Sequence, residues 1–377
     1  MCSKGAAPNE LLRRQSHGSK TDHSMTRRAY VEAALQGRQS DRVPCFPLVD
    51  VSYASTHSGQ NMARLQLDPR VHALALAQCA RELPIDGVYI NLCLGAKQAA
   101  QTAHRDGQYR VRIDDSVNVQ FSENDVAAIA STDICSLGDE RIQTAGLFHP
   151  GMLETFQAMT EDLCREVAVF VGLTGAFSQV GFLLGLQNLM LALMDEPAAA
   201  HRAIRQRQQV ALGQAREICQ AGARFIWIGE GMASSSLLSP QMYAEFVLPY
   251  EQELADEIRR LGALSLLHIC GNITPALAQI AQSRVDGVDV DAPTDWPAAV
   301  SILGPHLCLK GNINPLLFLP GKGVELRTAG EIAKCIGEPA RSLILSTGCL
   351  VPRDSAREAF SIMAGVCNQG KGSPLIR

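Results

Sequence analysis

The chain has 377 residues, of which 46% are hydrophobic and 19% are charged. This composition is typical of a folded globular protein and excludes a chain that is mostly disordered. The formal net charge of −4 offers no basic surface to a phosphate backbone, so nucleic acid is not expected as a partner.

The N-terminal segment differs in pattern from the rest of the chain. Residues 1–24 are polar and lack periodicity, so we expect a disordered tail followed by one domain over residues 25–377. Residues 27–35 have a helical pattern and predict an N-terminal helical extension. The twelve cysteines form no Cys-x-x-Cys pair and follow no apolar leader segment, so we expect reduced thiols and a cytoplasmic protein.

Short apolar runs recur along the chain, and most are followed by a longer helical stretch. Eight such runs predict strands, at residues 43–49, 86–92, 167–173, 224–229, 263–269, 285–290, 306–310 and 342–347. Alternating strands and helices in this number favour a (β/α)₈ TIM barrel, which is an α/β fold. The long interval at 93–166 predicts an insertion after the second strand, with a hairpin at 109–113 and 117–121.

The most apolar stretch runs from Phe182 to Met194 and is interrupted by Gln187 and Asn188. It is too short to cross a bilayer, so it predicts a buried helix and no membrane association.

Three residues form the most informative pattern in the chain. His268 and Cys270 lie two positions apart at the end of the fifth predicted strand, and Cys349 follows the eighth. Side chains at i and i+2 of a strand point to the same face, so His268 and Cys270 can bind one ion together. One imidazole and two thiolates suit Zn²⁺ and leave a coordination position open. Buried structural thiols are the alternative interpretation.

Other polar residues also follow predicted strands, where the active site of such a barrel lies. Glu230 can act as a fourth, displaceable metal ligand; the alternatives are a carboxylate at a helix N-terminus and a surface ion pair. For Asp289 and Asp291 we expect solvated loop carboxylates. Asn312 follows the seventh strand. The remaining cysteines are assigned no role.

Several segments resemble the uroporphyrinogen decarboxylase superfamily, and within it the methylcobamide:thiol methyltransferase branch. The similarity extends from about Met25 to about Val366 and rests on segments 41–44, 238–250, 268–272, 311–315 and 348–352. The His-x-Cys pair with a distant Cys is specific to the branch. The Arg-Gln-Ala-Gly-Arg segment of true decarboxylases is replaced here by Asp50-Val-Ser-Tyr-Ala-Ser, which argues against porphyrinogen decarboxylation.

The resemblance implies a zinc enzyme that transfers a methyl group from a methylated corrinoid, such as methylcobalamin, to a thiol such as coenzyme M. His268, Cys270, Cys349 and Glu230 are then the metal and catalytic residues. Asn312, Asp291 and Tyr250 are assigned to corrinoid binding, with core packing as an equal explanation for Tyr250. No Asp-x-His-x-x-Gly corrinoid motif is present, so a separate corrinoid protein is the expected partner, and a homodimer is left open.

Three alternatives to this function stay open. The first is a lyase or hydrolase that uses zinc-bound water on the same barrel, including a decarboxylase-like lyase. The second is a corrinoid methyltransferase with tetrahydrofolate as acceptor. The third is a non-catalytic corrinoid- or tetrapyrrole-binding protein whose thiols are structural.

Overall fold

The structure is a computed structural model that describes residues 25–369, except residues 39, 115, 133, 135 and 148. The predicted tail at 1–24 and Cys135 lie outside the described residues. Eleven β-strands lie within them: β1 (Gly87–Ile90), β2 (Thr102–Arg105), β3 (Gln108–Arg112), β4 (Val117–Ser122), β5 (Ala128–Thr132), β6 (Ala168–Thr174), β7 (Phe225–Gly229), β8 (Leu264–Ile269), β9 (Gly287–Val290), β10 (Cys308–Ile313) and β11 (Ser342–Thr347).

Helices follow most strands. They are α1 (Arg27–Leu35), α2 (Val51–Ser58), α3 (Met62–Leu67), α4 (Pro69–Glu82), α5 (Ala96–Ala99), α6 (His149–Gln157), α7 (Glu161–Glu166), α8 (Ala176–Leu184), α9 (Leu186–Asp195), α10 (Pro197–Gln220), α11 (Pro240–Phe246), α12 (Leu248–Arg260), α13 (Leu277–Ile280), α14 (Trp296–Ile302), α15 (Gly323–Gly337) and α16 (Arg357–Asn368), with 3₁₀ turns at Glu140–Gln143, Thr274–Ala276 and Pro315–Phe318. Local sequence sets the starts: α4 has the Asp68 carboxylate as N-cap and Pro69 in its first turn.

Seven strands form one parallel sheet in the order β1-β6-β7-β8-β9-β10-β11. Almost every residue in these strands is buried, because the helices cover one face and the side chains of neighbouring strands cover the other. Seven of the eight predicted strands are therefore confirmed, with ends that differ by up to three residues.

The eighth predicted strand, at residues 43–49, is not a regular strand. It forms only two isolated parallel bridges, from Cys45 to Leu345 and from Leu48 to Leu350. On its other side the Cys45 carbonyl accepts a hydrogen bond of 2.8 Å from the Asp86 N–H, one residue before β1. Pro44 and Pro47 lack N–H groups and cannot donate to a continuous ladder, which explains the reduction to single bridges.

The predicted insertion is present between β1 and β6. Its hairpin is confirmed by the antiparallel pairing of β3 with β4, in which Tyr109 lies opposite Phe121. β2 and β5 extend the hairpin into a four-stranded antiparallel sheet that the sequence did not predict.

The N-terminal helix α1 covers the amino-terminal end of the parallel strands. The Arg28 guanidinium lies 5.5 Å from the ring of Phe225, and the Ser342 hydroxyl donates to the Ala34 carbonyl at 2.6 Å. Phe225 and Ser342 are the first residues of β7 and β11. Val31, Ala34 and Leu35 pack with inward-facing strand side chains in one apolar cluster, so the interior is filled at this end.

The apolar stretch from Phe182 to Met194 is divided between α8 and α9, which meet at an angle of 111°. Gly185 has φ +85° and separates them, a backbone conformation that glycine adopts readily. The prediction of one buried helix is wrong, because Leu191 and Met194 of α9 are 54% and 72% exposed. Within the described residues, no single helix is both long and apolar enough to cross a membrane, and the bent α8–α9 pair meets the criterion only by length and composition.

Candidate metal centre

The end of β8 carries two of the three predicted ligands. Leu264 and Leu266 contribute to the interior cluster, and His268 shares their alternation and is buried. Cys270 is the first residue beyond the strand, and its Sγ lies 3.3 Å from His268 Nε2. Gly271, with φ +82°, then turns the chain away from the strand direction.

Cys349 joins this pair from the loop after β11. Its Sγ lies 3.9 Å from His268 Nε2, and the three ligand atoms all lie within 4.8 Å of one another. In a flat sheet β8 and β11 would stand about 14 Å apart, which is three strand spacings of roughly 4.8 Å. The sheet is therefore curled, and the curl brings together residues that are 81 positions apart in the chain.

The hydrogen bonds of His268 select one ring tautomer. Nδ1 lies 3.1 Å from the Asp289 carbonyl oxygen, which can only accept, so Nδ1 carries the proton. Nε2 of the neutral ring then presents a lone pair to the two sulfurs. A ligand histidine is commonly held this way, by a carbonyl or carboxylate on its other nitrogen. One nitrogen and two sulfurs form a donor set that fits Zn²⁺.

The protonation of the two thiols is linked. The hydrogen bond from Cys349 lowers the pKa of Cys270, and the same contact with Cys270 raises the pKa of Cys349. Burial lowers the pKa of His268, but the hydrogen bond with Cys349 and the charge of Asp289 outweigh burial and raise it. Cys270 is thus the first of the two thiols to ionise, and the thiolate is the form that binds metals.

A buried ion pair lies next to the imidazole of His268. Asp289 and Lys310 are both 0% exposed, and Lys310 Nζ lies 2.9 Å from Asp289 Oδ1. The second carboxylate oxygen accepts from Trp227 Nε1 at 3.2 Å, and the Trp227 ring stacks on His268 with centroids 5.0 Å apart. The expectation that Asp289 is a solvated loop carboxylate is therefore wrong, because Lys310 compensates its charge inside the sheet.

Asp291 fixes the turn that follows Cys270. Its carboxylate accepts from the Gly271 N–H at 2.6 Å and from the Ala292 N–H at 2.7 Å. It is 9% exposed, so the solvated-carboxylate expectation fails here too. A Cβ on Gly348 would lie 2.3 Å from the Ala292 nitrogen, so only glycine lets the Cys349 loop approach the loop after β9 so closely.

Glu230 is buried beside this group but does not join it. Its Oε2 accepts from the Ser178 N–H at 2.9 Å and from the Ser178 hydroxyl at 2.6 Å, in the first turn of α8. The alternative of a carboxylate at a helix N-terminus is thus confirmed. Burial raises the pKa of Glu230 to about 7, although the bonds from Ser178 oppose that shift. Metal ligation by Glu230 stays a prediction.

The other two predicted cofactor-binding residues lie farther from the three ligands. Asn312 Nδ2 donates to the Thr294 carbonyl at 3.4 Å, in the loop after β9. Tyr250 lies on α12, where its hydroxyl contacts His201 Nδ1 at 3.1 Å on α10. Neither residue lines the cavity above the three ligands. Packing between α10 and α12 accounts for Tyr250.

A cavity of about 290 Å³ opens directly above His268, Cys270 and Cys349. Apolar side chains dominate its wall, and they come from β6, β7, α6, α8 and the loops after β1 and β11. Apart from His268, the cysteines and the Tyr89 and Trp227 rings, the polar side chains among its described lining residues are Asn91 and Thr174. A reactant can therefore reach the sulfur and nitrogen ligands through a mainly apolar space.

The family model for uroporphyrinogen decarboxylase (URO-D) matches residues 26–369. The chain belongs to the uroporphyrinogen decarboxylase family. This confirms the resemblance drawn from the motifs. A methyltransferase from Methanosarcina mazei has the same fold, with a TM-score of 0.76 and 19% identity over 92% of this chain and 99% of that chain.

Two curated members of the family support the branch as well. The methylcobamide:CoM methyltransferase MtaA of Methanosarcina barkeri is 23% identical over 306 residues, which are 80% of this chain and 86% of that protein. The methylated-thiol–coenzyme M methyltransferase of Methanosarcina mazei is 26% identical over 197 residues, and the match spans only 52% of each chain.

Sequence reasoning missed three residues at this site, namely Trp227, Lys310 and Ser178. Strand alternation contained the signal for the first two. Trp227 lies two positions from Phe225, and Lys310 lies two positions from Cys308, both of which face the interior. A lysine at an inward position of a buried strand requires a buried anion, and the register places Asp289 directly beside it. Ser178 lies on a helix, and no pattern in the sequence connects it with Glu230.

Proposed function

We propose that this protein transfers a methyl group from a methylated corrinoid to a thiol. The observation that carries the proposal is the convergence of His268, Cys270 and Cys349 within 4.8 Å at the base of an apolar cavity. The names of the methylcobamide:CoM relatives support the same reaction class. We propose a separate corrinoid protein as the methyl donor, since the relatives are named as methylcobamide:CoM methyltransferases.

We propose that His268, Cys270 and Cys349 hold a Zn²⁺ ion. The Nδ1 bond to Asp289 keeps Nε2 available, and Cys270 is already biased towards the thiolate. A bound Zn²⁺ would lower the pKa of a coordinated acceptor thiol, and so generate a nucleophile near neutral pH.

The protein residues then have distinct tasks. Asp289 orients the imidazole, and Lys310 keeps the Asp289 carboxylate charged and fixed. Asp291 holds the turn after Cys270, and Gly348 lets Cys349 approach. The apolar wall excludes water from the sulfur of the acceptor, which preserves its nucleophilicity. We propose that the Glu230 carboxylate, which lies next to the site, can exchange with the incoming thiol as a metal ligand.

We further infer that segment 44–48 completes a (β/α)₈ barrel around the cavity. It bonds to β11 on one side and to Asp86, before β1, on the other.

The test is the loss of methylcobalamin absorbance in the presence of thiols, together with the metal content of the protein. We expect about one zinc per chain and thiol-dependent demethylation, both lost in Cys270→Ala and Cys349→Ala. Cys335→Ala is the matched control, because Cys335 is exposed on α15 and does not belong to the group of three ligands. Methyl transfer to tetrahydrofolate that survives Cys270→Ala would overturn the proposal.

A further inference from the structure

The wall of the cavity above the three ligands is mainly apolar, with Asn91 and Thr174 as polar exceptions. Leu173 of β6, Trp227 of β7, Met152 of α6 and Phe182 of α8 line it, together with Leu92 and Leu350 from the loops after β1 and β11. Of these side chains Phe182 is 39% exposed and marks the rim, so the cavity meets solvent there. A wall of this kind binds a substituent in proportion to the apolar surface that the substituent buries.

The charges near the ligands do not suit an anionic substituent. Among the described residues that line the cavity, none is a lysine or an arginine. Lys310 is fully buried and bound to Asp289, with its ammonium group 5.0 Å from the Phe46 ring. Asp291 stands beside Cys270 through its bond to Gly271. The described cavity wall thus offers an anionic substituent no counter-charge, because Lys310 is already bound to Asp289.

We propose that the acceptor of this protein is a small uncharged thiol with an apolar substituent, such as an alkanethiol, and that thiols bearing a sulfonate or a carboxylate are poor acceptors. This inference rests on the proposed function and narrows it. It also gives this chain a different acceptor from coenzyme M, which appears in the names of its relatives. Coenzyme M carries a sulfonate, and the cavity wall would leave that sulfonate without a counter-charge.

The reaction balances without a further reactant. The thiol loses its proton to solvent, and its sulfur lone pair forms the new bond to the methyl carbon. The carbon–cobalt bond of the methyl corrinoid breaks, and its electron pair stays on cobalt, which goes from Co(III) to Co(I). The product is a methyl thioether with an apolar substituent, which the same wall accommodates.

The first experiment compares acceptors of matched size with methylcobalamin as donor and the zinc-loaded full-length protein. 1-Propanethiol and 3-mercaptopropionate differ only in a terminal methyl against a carboxylate, and coenzyme M supplies the sulfonate. We expect kcat/KM for propanethiol to exceed that for both anions by about tenfold or more. The value of kcat/KM should be roughly fourfold higher for propanethiol than for ethanethiol, which corresponds to the burial of one additional methylene. Equal or better use of coenzyme M overturns the inference and leaves the proposed function intact.

A charge placed at the rim provides the second arm. Phe182→Arg puts a cation where the side chain can still reach water, and it should raise the ratio of coenzyme M to propanethiol activity about tenfold. Leu191→Arg is the matched control, since Leu191 is exposed on α9 and does not line the cavity. A ratio that stays constant in Phe182→Arg, or that moves equally in both variants, contradicts the assignment of this cavity to the acceptor.

The third arm measures binding without turnover. The chain has two tryptophans, and Trp296 is buried on α14, where its N–H bonds to the Ala333 carbonyl. A Trp296→Phe protein leaves Trp227 in the cavity wall as the single reporter. After chelation of metal, propanethiol should change Trp227 fluorescence at lower concentration than 3-mercaptopropionate does. If no thiol accepts a methyl group but propanethiol still binds more tightly than 3-mercaptopropionate, the proposed function fails and the preference for uncharged thiols stands. If 3-mercaptopropionate binds as tightly as propanethiol, the preference for uncharged thiols fails.

Discussion

Replacement of Lys310 by methionine should destabilise the protein strongly, because it leaves the Asp289 carboxylate buried without a cation. The two charged groups are 2.9 Å apart and neither is exposed. At that separation and an effective dielectric constant of about 20, opposite unit charges attract by about 6 kcal/mol. Desolvation offsets much of this attraction, but the loss of one partner from a buried pair costs about 3–5 kcal/mol.

Urea denaturation of the metal-free protein measures this cost without a contribution from metal binding. Lys310→Met should lower the free energy of unfolding by about 3–5 kcal/mol. The double variant Lys310→Met with Asp289→Asn should recover about half of the loss, because it removes the orphaned charge and keeps an oxygen for the Trp227 N–H. A loss of less than about 1 kcal/mol in the single variant, or a double variant no more stable than the single one, would refute the reasoning.

Three further predictions concern the loops and a second buried carboxyl. Gly348→Ala should lower the free energy of unfolding by about 1–3 kcal/mol and reduce the zinc content, because the added Cβ would lie 2.3 Å from the Ala292 backbone. Thermal denaturation measures the change in stability. The control is Gly365→Ala, whose Cβ would have no atom within 4 Å, and this variant should be neutral or stabilising. Asp291→Ala should weaken zinc affinity by roughly 10- to 100-fold, measured by competition with a chelating dye, since the turn after Cys270 loses its acceptor; unchanged affinity would show that Asp291 does not position Cys270. Burial raises the pKa of Glu251 to about 8 from its ordinary value of 4.5, so the folded protein holds this proton more tightly than the unfolded chain, and the resulting stability is complete below pH 4.5 and lost as the pH rises to 8. Glu251→Gln keeps an acceptor for the Tyr243 hydroxyl, and its unfolding free energy should fall less over that range; parallel pH profiles for the two proteins would disprove the assignment.

The sequence predicted the strands and the convergence of His268, Cys270 and Cys349 because both depend on short-range patterns. Buried parallel strands appear as apolar runs, and the ends of those runs placed His268, Cys270 and Cys349 on one rim of the sheet. Segment 43–49 was the exception, since its two prolines restrict it to isolated bridges.

The surroundings that sequence analysis did not indicate depend on contacts between distant elements. The position of Tyr250 between two helices follows from the packing of α12 on α10, which periodicity does not specify. Glu230 follows a strand as expected, but Ser178, 52 residues earlier, determines where its carboxylate points. Asp289 and Asp291 were expected in solvent because the lysine and the glycine turn that satisfy them come from neighbouring loops and strands.

Helix α1 covers the amino-terminal end of the parallel strands, where Val31, Ala34 and Leu35 pack against the interior side chains. In the proposed reaction, the thiol and the corrinoid would therefore both enter at the opposite end, near Phe182. The thiol would have to bind first, because a bound corrinoid would cover the cavity, and the methylated product would leave only after the corrinoid. Steady-state kinetics should then show ordered addition through a ternary complex, with no methyl transfer in the absence of thiol.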